Sequence, residues 1–280
     1  MIRGAPPGKP PAPAEGGLGW LGRLYLIAVF LVLYAPIGYL FLFSFNEGGQ
    51  MVRFTGWTLE WYRAIADDKR LIAIVLTTVL IALLSSAAAT AVGTLGAIGL
   101  YELRRRTRDV LLVLNNVHLV SSDVVIGASF LLLFTALGLR LGFTSVLLSH
   151  IAFSIPIVVL MVLPKLYEMP PTLLDAARDL GAGPLDVLRR VILPYISPGV
   201  LAGFFMALTY SLDDFAVTFF VTGSGFSTLS VEIYSRARRG ISLEINALSV
   251  LLFIVTLLFA AGYAVISRHG AKIRGVFVRR

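Results

Sequence analysis

Residues 172–195, TLLDAARDLGAGPLDVLRRVILPY, form a polar, helix-forming island between two apolar segments that are each long enough to cross a bilayer. Thr172 followed by Asp175 reads as a capping box, in which the hydroxyl takes a free backbone N–H of the first turn and the carboxylate reaches back. A helix is therefore expected to start at Thr172. Leu173, Ala176, Ala177 and Leu180 fall on one face of it, and Asp175, Arg178 and Asp179 on the other. Gly181 and Gly183 end it. Pro184 suits the first turn of a second helix, whose apolar face carries Leu185, Leu188, Val191 and Ile192, with Asp186 and Arg190 as an i,i+4 pair. The prediction is two short amphipathic helices joined at a glycine elbow. Their charges are balanced, Lys165, Arg178, Arg189 and Arg190 against Glu168, Asp175, Asp179 and Asp186, whereas a helix lying on lipid carries a basic polar face. The island is expected to meet a protein.

Composition sets the class. Hydrophobic residues make up 57% of the 280 and charged residues 14%, against about 25% charged in soluble domains, so the chain is an integral membrane protein. The absence of cysteine excludes disulfides, thiolate catalysis and Cys-ligated metal. His118, His150 and His269 are too scattered for a metal site, and each reads as a polar position at a helix end or in packing. No GxxxxGK[ST] is present, since Gly8-Lys9 follows proline-rich sequence and precedes Pro10, so no ATP, Mg²⁺ or other cofactor is expected on this chain. The net charge of +8 is assigned to membrane topology and not to nucleic acid.

The expected architecture is all-α and polytopic, with six transmembrane helices. Residues 1–19, rich in proline, form a disordered tail, residues 20–268 the membrane domain, and residues 269–280 a basic tail. The first span covers residues 20–45. An interfacial segment follows, with Trp57, Trp61 and Tyr62 and a short helix. The second span, residues 71–100, is rich in small residues that let helices approach closely. The third and fourth are expected as continuous helices over 110–137 and 143–163. The fifth covers 196–221 and the sixth 245–266. Pro36, Pro156, Pro164 and Pro198 lie within or beside spans, where they read either as places that bend between states or, for most of them, as fixed kinks.

With six spans both termini share one side. That side, with the turn at 102–108 and the 165–195 loop, holds 16 basic residues against eight on the other, so it is expected to be cytoplasmic. Inside the spans three carboxylates stand out: Asp123 in the third, Asp213 and Asp214 in the fifth. At such depth a carboxylate costs about 2.5–3.5 kcal/mol on insertion scales, which points to a cavity, a partner or a cation pathway. Asp213 and Asp214 lie about 100° apart on a helix, so at most one faces a pathway squarely. The alternative is helix–helix glue through Ser121, Ser122 or Tyr210.

The island resembles the loop signature of ABC importer permeases, EAA, three residues, Gly, nine residues, then I-x-L-P. Here it reads Asp175-Ala176-Ala177, Gly181, then Val191-Ile192-Leu193-Pro194, with Asp for the usual Glu and Val for the usual Ile. The runs Ser211-Leu212-Asp213-Asp214, Phe220-Val221-Thr222-Gly223, Ile233-Tyr234-Ser235 and Glu244-Ile245-Asn246-Ala247-Leu248, with Ser122-Asp123-Val124-Val125-Ile126-Gly127, are similar to the C-type permeases of spermidine/putrescine importers. The resemblance implies a type I importer permease fold with cytoplasmic coupling helices, in a bacterial inner membrane. It implies a homologous second permease, two copies of an ATP-binding subunit that bind ATP and Mg²⁺, and a periplasmic or extracellular substrate-binding protein. Asp175, Ala176, Ala177, Gly181, Val191, Leu193 and Pro194 would couple to the ATPase, and Asp123, Asp213 and Asp214 would serve the substrate. Arg236, Arg238 and Arg239 are expected to dock on acidic residues of the binding protein. Other cargo in the same machine (ferric iron, thiamine, an opine) is the nearest alternative. A secondary transporter would show inverted repeats, and an intramembrane enzyme a nucleophile and base. Neither pattern is present in the sequence.

Overall fold

Long apolar runs without charge form helices in lipid because only helical hydrogen bonding satisfies every backbone group within the segment. The computed structural model describes residues 20–48, 51–239, 243–254 and 257. Its helices are α1 (Trp20–Phe43), α2 (Glu60–Asp67), α3 (Lys69–Glu102), α4 (Arg105–Val120), α5 (Asp123–Ala136), α6 (Phe143–Tyr167), α7 (Pro171–Asp179), α8 (Pro184–Val187), α9 (Leu193–Asp213), α10 (Ala216–Val221), α11 (Leu229–Arg239) and α12 (Leu243–Ile254). Among the described residues, four helical runs are long and apolar enough to cross a membrane: α1, α3, α6 and the continuous stretch Pro184–Asp213. Taking α4 and α5 as one bent span makes five. The sixth expected span begins in α12 and otherwise falls almost wholly outside the described residues, as do the two tails.

The chain divides into two units, residues 1–63 with 242–280, and residues 64–241. In the first, Asn46 is fully buried and holds the turn after α1. Its Nδ2 donates to the Arg53 carbonyl at 2.9 Å, its Oδ1 accepts from the Thr55 N–H at 2.8 Å, and its carbonyl accepts from Trp61 Nε1 at 2.9 Å. Phe45, Phe54, Trp57 and Tyr62 pack ring to ring in the same segment. The rings expected of this segment are thus packed together, next to the short helix α2 that the sequence predicts.

The second unit is centred on α6, which packs against α3 and α9. On α6 every fourth residue, Val146, His150, Ser154, Val158, Val162 and Leu166, is buried. Facing it are small residues at the same spacing, Ser85, Ala89, Gly93 and Ala97 on α3, and Gly199, Gly203, Ala207 and Ser211 on α9. These are i±4 ridges in contact. A Cβ at Gly93 would lie 2.7 Å from Val158 Cβ, and one at Gly199 would lie 2.9 Å from the Met161 carbonyl oxygen, so the backbones approach too closely for any side chain there.

The pairings fix direction. Ser85, His150 and Ser211 meet at one level, and Gly93, Val158 and Gly203 meet about two turns further along. Hence α3 and α6 are parallel and α9 is antiparallel to both. The basic turn after α3 and the island between α6 and α9 therefore share one end of this unit, where the Arg108 guanidinium lies 5.3 Å over the Tyr167 ring. The opposite end holds Arg70, α11 and the turn before α6.

Two expected spans are broken. The third bends by 104° between α4 and α5 instead of running straight from 110 to 137. Ser121 and Ser122 take extended backbone there, and Ser121 Oγ donates to the Val117 carbonyl at 2.7 Å, a local bond that competes with helix continuation. The fifth stops at Asp213. Asp214 is extended, and the chain restarts as α10.

Candidate functional site

The first helix of the island begins two residues earlier than the capping box predicts, with Pro170 and not Thr172 at the N-cap. Pro171 occupies the first helical turn, where a fixed φ and a missing N–H are no loss, so Thr172 already lies inside α7 and caps nothing. The elbow is as expected. Gly181 has φ +78°, the Ala182 N–H donates to the Ala177 carbonyl at 3.0 Å, and the Gly181 N–H to the Arg178 carbonyl at 2.8 Å, which is a Schellman closure. The second helix is not a separate short one. α8 runs through a π-helical turn at Leu188–Ile192 directly into α9. Pro194 follows that turn; with no N–H and with its ring set against the carbonyl four residues back, it favours the wider winding there.

Of the residues matching the loop signature, Asp175, Ala176, Gly181, Leu193 and Pro194 are exposed, and Ala177 and Val191 half-buried. Asp186 and Arg190 pair at 3.2 Å as predicted, and Asp175 lies 3.9 Å from Arg178. Leu180 is 89% exposed, with Leu173 and Leu185 also open. Leucines rimmed by balanced charge have the make-up of a protein-docking surface.

The three carboxylates sit at the two breaks. Asp123 opens α5, is exposed, and accepts from the Tyr210 hydroxyl at 3.0 Å, a bond between α5 and α9. Tyr210 stands edge-on to Phe153 on α6, ring centres 5.0 Å apart. Asp214 turns inward. It accepts from the Val217 N–H at 3.2 Å, and from the Thr218 N–H at 2.8 Å and hydroxyl at 2.7 Å, thereby capping α10. Asp213 is exposed at the end of α9 and has no hydrogen-bond or ion-pair partner among the described residues. The neighbouring pair thus divides, one inward and one outward, because Asp214 leaves the helix while Asp213 is its last residue.

Sequence reasoning missed the group behind Asp214. His150 is 1% exposed, with Nδ1 2.6 Å from Ser211 Oγ, Nε2 2.9 Å from Thr218 Oγ1, and Nε2 3.5 Å from Asp214 Oδ2. Ser211 Oγ lies 3.1 Å from Ser85 Oγ on α3. The available signal was that Ser211, Asp214 and Thr218 recur at helical spacing, with a lone histidine inside a neighbouring apolar span.

Arg236 is not the free docking group that the sequence suggests. It bridges Glu232 Oε1 at 2.9 Å and Asp68 Oδ2 at 2.8 Å, because the buried Glu232 requires a counter-charge. Arg70 adds a 3.3 Å contact to Glu232. Asp68 also caps α3 by accepting from the Leu71 N–H at 3.0 Å. Its hydrogen bond to Arg236, followed by that from Leu71, holds its carboxyl below the usual range. Arg238 lies 5.7 Å over the Tyr234 ring.

Long apolar helices, close small-residue contacts and an exposed helical elbow define the class: a polytopic helical membrane protein. Residues 89–274 match the family described as binding-protein-dependent transport system inner membrane component. The chain belongs to that family and is a permease component of an ABC importer. It is 36% identical over 256 residues to the spermidine/putrescine transport system permease protein PotC of Escherichia coli (strain K12), covering 90% of this chain and 97% of that one. It is 33% identical over 260 residues to the putrescine transport system permease protein PotI of the same strain, covering 90% and 92%. Among solved structures, a bacterial ABC transporter involved in the import of the acidic polysaccharide alginate superposes with a TM-score of 0.68 at 18% identity, over 93% of this chain and 99% of that one. The MetNI methionine ABC transporter gives 0.57 at 18% identity, over 70% and 95%.

Proposed function

We propose that this permease carries polyamines of the spermidine and putrescine type inward, forming half of a pathway completed by a homologous second permease. The observation that carries this reading is Asp213, a carboxylate at the end of a membrane-spanning helix with no protein partner among the described residues. A multivalent organic ammonium is its natural counter-ion. Asp123, exposed and held by Tyr210, supplies a second acceptor at the other break. The identity to PotC and PotI over nine-tenths of the chain supports the same class of cargo.

In this reading the sixth span runs over 245–266, both termini are cytoplasmic, and a binding protein delivers the cargo at the α11 end. Two copies of an ATP-binding subunit, which hold ATP and Mg²⁺, seat the island through Asp175, Ala176, Ala177, Gly181, Val191, Leu193 and Pro194. Their closure on ATP moves α7 and, through the continuous 184–213 helix, the break at Asp214. Uptake of radiolabelled spermidine and putrescine into liposomes carrying the full complex tests the cargo. Stimulated ATP hydrolysis and uptake support it; hydrolysis without uptake of either amine refutes the cargo and leaves the importer assignment standing.

A further inference from the structure

We infer that His150 is a positioning residue of the pathway, which through Thr218 and Asp214 fixes the break between α9 and α10 and so aims Asp213 out of the bundle; the link to transport rests on the reading of Asp213 given above. His150 stands in the buried ridge of α6, between Val146 and Ser154. Both ring nitrogens are spent on α9 and α10.

The proton count makes the arrangement directional. Thr218 has one hydroxyl proton, and it goes to Asp214 Oδ2. Nε2 of His150 must therefore carry a proton and donate to Thr218. Asp214 in turn spends both oxygens on Val217 and Thr218, so its side chain is locked inward. With Asp214 inward and extended, the preceding residue Asp213 is left on the outside of the last turn of α9.

At Nδ1 two complete arrangements exist. Ser211 donates to a bare Nδ1 while Ser85 donates to Ser211, or a protonated Nδ1 donates to Ser211, Ser211 to Ser85, and Ser85 to the Ala82 carbonyl. Every buried group is satisfied in both. The hub thus ties α3, α6, α9 and α10 together at one level, near the end of the unit opposite the island.

The chain has no cysteine, which gives a direct test in the full complex with cysteine-free partner subunits. With Asp213→Cys, the rate of modification by a membrane-impermeant thiol reagent reads how far position 213 is presented. Adding His150→Ala is expected to slow modification about tenfold, the population change that follows loss of one partner from a buried hydrogen-bond network. His150→Gln, whose amide can donate where Nε2 does, is expected to restore most of the rate. An unchanged rate with His150→Ala overturns the inference; so does a slowed rate that Gln leaves unrestored, since the volume of the ring and not its hydrogen bonds would then be at work. Uptake by Asp213→Asn is read separately. Native uptake there removes Asp213 from the pathway and leaves the thiol result to decide the positioning role of His150.

Discussion

Asp213 and Asp214 are adjacent and chemically identical, yet their surroundings give them different work. Asp214 accepts three hydrogen bonds from α10, so Asp214→Ala strips the cap from that helix and leaves buried donors unpaired. The expected cost is about 1–2 kcal/mol, read as a lower melting temperature of the purified complex. Asp213→Asn leaves the fold alone and is expected to lower polyamine uptake about tenfold with assembly intact. Near-native uptake would return Asp213 to a surface role. Asp68 makes a third test. Its carboxyl is depressed by Arg236, so the stability it contributes is complete above the ordinary aspartate range near pH ~4 and is lost as pH falls through the depressed value. Asp68→Asn should therefore melt below the native protein at pH 7, with the gap closing in acid below that range. The helical angle predicted only that the two aspartates would not face one way together, and it did not foresee that Asp214 leaves the helix. Which of them faces inward was not legible, because His150 lies 64 residues before Asp214 and meets it only through the register of α6 on α9.

At the scale of elements, the apolar runs placed α1, α3 and α6 to within a few residues, since hydrophobicity decides what enters lipid, whereas the fifth span, expected over 196–221, runs as one helix from 184 to 213. The breaks escaped that logic. Residues 110–137 are apolar enough to read as one span, whereas at the break Ser121 bonds back to Val117 and Asp123 accepts from Tyr210 on α9. The island was legible in its charges and its elbow but not in its second half, where α8 joins α9 through a π-turn instead of ending. That continuity makes the elbow the place where strain would act. Gly181 has φ +78°, which an L side chain adopts at a cost of about 1 kcal/mol, so Gly181→Ala is expected to weaken ATP-driven uptake more than assembly. Equal loss of both would make it a folding position only. The small-residue ridge gives the contrasting case. Gly93→Val drives a side chain into Val158 and is expected to cost about 1–3 kcal/mol of thermal stability, with any transport deficit following from lost protein.

For the whole molecule the decisive question is orientation, because the proposed partners bind opposite ends. Within residues 64–241 the parallel run of α3 and α6 puts the turn bearing Arg104, Arg105, Arg106 and Arg108 at the same end as the island. Four arginines beside a span favour the cytoplasmic side. An ATPase can reach the island only from there, so the charge rule and the docking surface make one prediction from separate observations. Thr107 and Ser224 are both exposed and lie near opposite ends. In a chain without cysteine, Thr107→Cys and Ser224→Cys each give a single thiol. In intact cells an impermeant reagent should modify the thiol at 224 at once and the one at 107 only after permeabilisation. The reverse pattern would invert the protein and take the island away from any cytoplasmic ATPase. Modification of both from outside would mean that the segments between them cross the membrane an even number of times, which the register of α3, α6 and α9 forbids.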